Sequence, residues 1–377
     1  MWNCSRRLVL AGGVLALFAG AVGWTDAAGA QAKPTAPPKT EKTATATSDS
    51  GGTKKPKVSK LFKAEAPPVA ITLVANWKQI KREKQDGAPL HPSTLSYVDS
   101  TGKTVDVPLR VRTRGIWRLR NCEFPPLRLN FANKTSKATL FDDLDEPKLV
   151  SYCRSGSGGE ELVLRELQLY RIYRLLTPVS HETRLLRVTY VDSATGKPEA
   201  QRHAFLVEDP ARMADRLGGR MVTFKGAKHD DVDPAQAAIL FLFQYMIGNT
   251  DFSLNALHNG ELIAMSGGDV FPIAYDFDFA GAVNAPYAVP PDGLRIKTVR
   301  QRQFRGYCAI KAHYPAAIAV LRQKKDTIYA LYRDAIGSLL PERTVRETLE
   351  YFDEFYDHVK TPRDFERRLF GDCAEII

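Results

Sequence analysis

The chain has 377 residues, 44% of them apolar and 25% charged, with a formal net charge of +10. That balance belongs to a folded globular protein and excludes wholesale disorder, collagen and multi-span membrane architectures. Residues 1–30 carry +1, and residues 31–63 carry eight lysines against Glu41 and Asp49, which together leave only +3 for residues 64–377, so the basic balance is a tail property and no nucleic-acid partner is expected.

In chain order, Arg6 and Arg7 precede an apolar run, Leu8 to Trp24, and the small residues Ala28-Gly29-Ala30 follow. Residues 1–30 therefore read as a secretory signal peptide, and the protein is expected to be exported (periplasmic, cell-envelope or secreted). A membrane enters this reading only through an uncleaved signal anchor. Residues 31–66, rich in Lys, Pro and Thr, cannot offset their ordering entropy by burial and read as a flexible linker.

From Ala70 to about Val150 the pattern is strand-like, with runs at 70–74, 104–111, 127–131 and 148–152 separated by Gly, Pro, Asn and Asp clusters. A helix follows over 160–176, then strands over 184–191 and 203–208. Asp233-Pro234 is an N-cap followed by proline at the first helical position, opening a helix that stops near Gly248. Short strands are expected over 261–265 and 271–279, and helices over 316–336 and 341–359. The arrangement predicted is α+β and two-lobed, with a strand-rich N-lobe over 67–210 and a mostly helical C-lobe over 211–377. Cleavage of the signal leaves Cys122, Cys153, Cys308 and Cys373. In an oxidising compartment these predict two disulfides, with Cys122–Cys153 and Cys308–Cys373 the expected pairing.

The residues that suggest chemistry lie in both halves. Asp251 follows the helix that ends at Gly248; Asn255 and Asn259 come next, then Asp276 and Asp278. Phosphoryl transfer uses such a set: one carboxylate orients the attacking hydroxyl, while an amide oxygen and further carboxylates hold Mg²⁺ against phosphates. Asp276 and Asp278 in one strand would share a face. Lys148 on a short strand and Glu166 within the apolar stripe of the 160–176 helix are an expected ion pair, since a buried carboxylate needs a partner. Arg112 to Arg118 surround Gly115, whose backbone could approach an anion. Arg295, Arg300, Arg302 and Arg305 are candidate counter-charges for Asp276 and Asp278. The glycines of 156–159 lack the following Lys-Ser or Lys-Thr of a phosphate-binding loop, and His258 reads as a hydrogen-bonded loop histidine.

Arg114-Gly115 with Pro125-Pro126-Leu127-Arg128-Leu129, then Leu164-Arg165-Glu166-Leu167, Phe205-Leu206-Val207-Glu208, Asn249-Thr250-Asp251 and Tyr275-Asp276-Phe277-Asp278 occur in the order found in CotH-type (spore-coat protein H) kinases. Over roughly residues 67–310 the chain resembles that family, and especially its exported bacterial relatives. The resemblance implies a bilobal, atypical protein-kinase-like fold that binds ATP with Mg²⁺ and phosphorylates Ser or Thr hydroxyls of a protein substrate. It makes Asp251 the catalytic carboxylate and Asn259, Asp276 and Asp278 the metal ligands, with Asn255 as the alternative amide. Lys148, Glu166, Arg114 and Gly115 would position the nucleotide. Ala256, Ile116 and Pro125-Pro126 depart from the family pattern and favour a second reading, a catalytically silent pseudokinase-like module that binds an envelope component.

Overall fold

The strands predicted at 104–111 and 127–131 form, and each buries alternate side chains: Val107, Leu109 and Val111 on one, Leu127, Leu129 and Phe131 on the next. In a computed structural model, which describes residues 59–62, 67–371 and 373, they belong to a longer succession. This runs β1 (Val69–Ala75), α1 (Trp77–Ile80), β2 (His91–Val98), β3 (Thr104–Thr113), α2 (Trp117–Asn121), β4 (Leu127–Phe131), α3 (Asn133–Ser136), β5 (Lys148–Val150), α4 (Ser157–Leu176), β6 (Thr183–Asp192) and β7 (Pro198–Val207).

These seven strands close into one barrel in the order β1-β2-β3-β4-β5-β7-β6, with β6 returning to pair in parallel with β1 and all other pairs antiparallel. This overturns the expected bilobal kinase-like fold. Alternation along each strand tells which face is buried, but not which edge finds which partner. Here the free edges of β1 and β6 satisfy each other instead of meeting solvent. Two tight hairpins hold the register. Asp99 accepts from the backbone of Thr101 and Lys103 ahead of β3, and Asp192 accepts from Ala194 and Thr195 ahead of β7. Helix α4 lies against β6 and β7, so His203 to Val207 are buried on both faces.

The remainder is α5 (Pro210–Leu217), β8 (Gly219–Val222), α6 (Pro234–Ile247), β9 (Gly260–Met265), β10 (Val270–Ala274), α7 (Tyr314–Gln323), α8 (Lys325–Ala330), α9 (Glu342–His358) and α10 (Pro362–Leu369). Two of its strands fall near the expected 261–265 and 271–279, but β8 joins them, and β8, β9 and β10 make a second, antiparallel sheet instead of a kinase-like helical lobe. Helix α6 begins and ends as predicted: Asp233 accepts from Gln236 N–H, Pro234 follows, and Gly248 closes it at φ 67°. It is buried almost all round, as an apolar helix clasped by α7, α9 and β10 must be. The strand expected over 271–279 stops at Ala274, so Asp276 and Asp278 lie in the connection beyond it.

Both expected disulfides form, Cys122–Cys153 with Cα atoms 4.6 Å apart and Cys308–Cys373 at 5.3 Å. Among the described residues no helix is long and apolar enough to cross a membrane. The signal peptide of 1–30 lies outside the described residues, as does most of the linker of 31–66. Leu61 and Phe62, assigned to that linker, are instead buried in the core.

Candidate functional site

The acidic connection after β10 is built against the barrel. Asp276 adopts φ 61°, uncommon for a residue with a side chain, and its N–H donates to the Tyr170 hydroxyl of α4 at 2.8 Å. That turn, rather than strand alternation, brings Asp276 and Asp278 together. Asp278 is 5% exposed and accepts from the Tyr287 hydroxyl at 3.1 Å. Burial, and then the Asp276 charge, raise its carboxyl to about 7, against the pull of Arg118 and Tyr287. Glu166 of α4 is 2% exposed, and its Oε1 is buried with no hydrogen-bond partner. Burial, then Asp278 and Asp276, push it well above the usual carboxylate range, opposed by Arg118 and Arg114. Glu166 and Asp278 therefore stand in a region largely closed to water, and the charge of the half-buried Asp276 makes ionisation of both harder.

The cations facing them differ from those expected. Arg118 of α2 donates to the Ser151 carbonyl and sets its Nε 4.0 Å from Asp278 Oδ2. The Cys122–Cys153 bond ties the end of α2 to the chain just past β5, on either side of that contact. Trp117 packs edge-on to Phe279 and against Tyr287, which fixes the hydroxyl that meets Asp278. Arg300, Arg302 and Arg305 are engaged elsewhere. Arg300 and Arg302 sandwich the Tyr351 ring at 3.9 and 3.4 Å, and Arg305 holds the Thr250 and Phe252 carbonyls. Arg295 donates its backbone N–H to Gln303. Arg118 was legible only as one of several cations near Gly115. Tyr170, Tyr287, Glu261 and His181 carried no sequence signal.

The Lys148–Glu166 ion pair predicted from sequence does not form. Lys148, 8% exposed, holds its ammonium over the Tyr275 ring, 3.9 Å from the centroid. Burial lowers it to about 8, and Glu261 and then Asp276 act against that fall. Gly115 adopts φ 81°, a Cβ there would meet Pro126 Cγ at 4.0 Å, and its N–H donates to Asp86. Arg114 donates its N–H to the Pro126 carbonyl, with its Nε buried and unpartnered.

Asp251 sits in the loop after α6, tightened by the Ser253–His258 bridge. Its Oδ1 lies 2.8 Å from His258 Nε2, and its Oδ2 accepts from the Asn259 amide at 3.0 Å. Asn259, at φ 49°, also reaches the Asp251 carbonyl, so its side-chain nitrogen is spent on Asp251 and its oxygen remains an acceptor. Asn255 is exposed and makes no such contact, which leaves Asn259 as the amide beside the carboxylate. The field of Asp251 reaches Asp278. One region thus gathers Asp251 with Asn259, Asp276 with Asp278, and Glu166, with Lys148 and Arg114 nearby. Among the described residues no three His, Cys, Asp or Glu side chains come close enough to hold a metal ion by themselves. Mg²⁺ rarely uses such a cage, taking one or two carboxylates and completing its shell with water and phosphate. Compared with known proteins, the chain matches no family model and no curated protein.

Proposed function

We propose that this region binds ATP with Mg²⁺ and transfers the γ-phosphoryl group to a Ser or Thr hydroxyl of a protein. This reading keeps the chemistry implied by the CotH resemblance and drops the fold. The observation that carries it is the burial of Glu166 and Asp278 beside Asp276: burial and the Asp276 charge push both up, and the Asp278 charge adds to the rise of Glu166. Such a set is relieved by a divalent cation, so the residues present fit Mg²⁺. Asp276 and Asp278, with the Asn259 oxygen, would hold it, and when bound it offsets the charge of the phosphate oxygens. Lys148 meets those oxygens as a point charge, and the Arg114 side chain flanks them, while the Gly115 N–H stays with Asp86. The acceptor hydroxyl gives its proton to Asp251 as its oxygen bonds to the γ-phosphorus, the bridging P–O bond breaks, and ADP leaves. The two disulfides belong with an oxidising compartment, and we place the activity outside the cytoplasm.

The test is incubation of the full chain with radiolabelled ATP, Mg²⁺ and a mixture of envelope proteins, beside Asp251→Ala. Incorporation is expected to fall at least about 100-fold in the variant. Equal incorporation by both proteins overturns the assignment. A second reading, an envelope-binding module that takes nucleotide without transfer, is favoured by Asp251 having both carboxylate oxygens already hydrogen-bonded. Thermal stabilisation by MgATP with no incorporation selects it.

A further inference from the structure

The Asp251 loop and the Asp276–Asp278 segment meet through their backbones. Gly248, three residues ahead of Asp251, accepts from the Gly281 N–H at 3.1 Å, and Ile247 accepts from the Ala282 N–H at 2.9 Å. Gly281 in turn lies three residues past Asp278. Tyr351 of α9, 1% exposed, ends at this crossing: a Cβ at either Gly248 or Gly281 would run into its hydroxyl. The phenol therefore fills the notch that the two glycines leave. Its hydroxyl is buried with no hydrogen-bond partner. An unpaired buried hydroxyl is a cost that phenylalanine would not carry, so the oxygen acts here through its size.

The ring is held in place by the arginines that lie over it. Arg300 also donates to the Gly281 carbonyl at 3.0 Å, and Arg302 to the Met246 carbonyl at 3.3 Å. Arg305 adds the Thr250 and Phe252 carbonyls. Side chains expected from sequence to neutralise Asp276 and Asp278 instead grip the backbone of both acidic segments, around the tyrosine that separates them.

We propose that Tyr351 is a positioning residue: its hydroxyl, wedged between Gly248 and Gly281 and steadied by Arg300 and Arg302, sets how far the Asp251 loop stands from the Asp276–Asp278 segment. Its consequence for catalysis rests on the function proposed above, where the proton acceptor of one segment must reach the phosphate held by the other. The wedge itself does not.

The experiment removes the oxygen alone, with Tyr351→Phe in the full chain. Incorporation of label is measured against MgATP concentration with the envelope-protein mixture held constant, beside the denaturation midpoint. The maximal rate is expected to fall about tenfold, through misplacement of Asp251. The half-saturating MgATP concentration should stay within about twofold, and the denaturation midpoint should hold or rise, because an unpaired buried hydroxyl is gone. An unchanged rate, or a fall in rate matched by a fall in stability, overturns the proposal. Amide exchange over residues 247–252 and 277–282, followed by mass spectrometry, is expected to quicken about fivefold in both segments of the variant. Unchanged exchange also overturns it. If the wild type incorporates no label, the function above fails, and exchange alone decides whether Tyr351 spaces the two segments.

Discussion

Two acidic segments flank the candidate site, and they are built on opposite principles. The Asp251 loop is half open to solvent: its carboxylate is 26% exposed and held by His258 and Asn259, both within eight residues of it. The Asp276–Asp278 segment is closed, set by a backbone turn on Tyr170 and faced by side chains from α2, α4 and the 287 loop. A carboxylate with local donors and water needs nothing from the rest of the fold. A carboxylate without water takes its charge state from whatever the fold brings to it.

Glycine substitution gives the largest contrast. A Cβ at Gly281, just past Asp278, would stand 2.3 Å from the Val299 carbonyl and 2.5 Å from the Tyr351 hydroxyl, so backbone must move. Gly281→Ala is expected to cost about 3 kcal/mol in denaturant unfolding. At Gly260, beside the Asp251 loop, the nearest atom is the far end of the Leu254 side chain at 2.9 Å. Gly260→Ala should cost less than about 1 kcal/mol. Equal costs would erase the distinction between a closed and an open segment.

Charge removal gives the next effect. The Asp278 carboxyl is raised in the folded protein to about 7 from an unfolded value of 3.8. The folded state therefore holds the extra proton between those values, and stability declines as pH rises from about 4 through 7. Asp278→Asn should flatten that decline and stabilise the protein by roughly 2 kcal/mol at pH 8, read as a higher denaturation midpoint. Added Mg²⁺ should raise the thermal midpoint of the wild type at that pH and leave the variant little changed. A steeper decline in Asp278→Asn would show that Arg118 dominates the segment instead.

The smallest effect belongs to the open loop. Asp251→Asn keeps an acceptor for Asn259 and loses one partly exposed contact with His258, so stability should change by less than about 1 kcal/mol at any pH between 5 and 8. A larger loss would mean that the loop depends on that carboxylate as much as the closed segment depends on its surroundings.

Much of the secondary structure was legible. The N-cap at Asp233 and stop at Gly248, the 160–176 helix and the strands at 104–111 and 127–131 follow from local rules that one stretch of chain obeys alone. Both disulfide pairings were legible from composition and order. The connection after β10 was not: Tyr275 to Phe279 alternates like a strand, but the tyrosine hydroxyl that turns it lies 106 residues away on α4. The surroundings of Lys148 were missed for the same reason, since spacing along the chain favoured Glu166 while the fold set its ammonium over the Tyr275 ring.

By itself the sequence determined which residues are apolar on one face, where helices start and stop, and which carboxylates, amides and cations stand ready. Only the tertiary structure decided that β6 closes on β1, that Arg118 rather than the later arginines faces Asp278, and that Glu166 is left buried beside two other carboxyls. Local patterns are set by bonds between near neighbours. Charge state is set by distance and exclusion of water, which exist only once remote segments have packed.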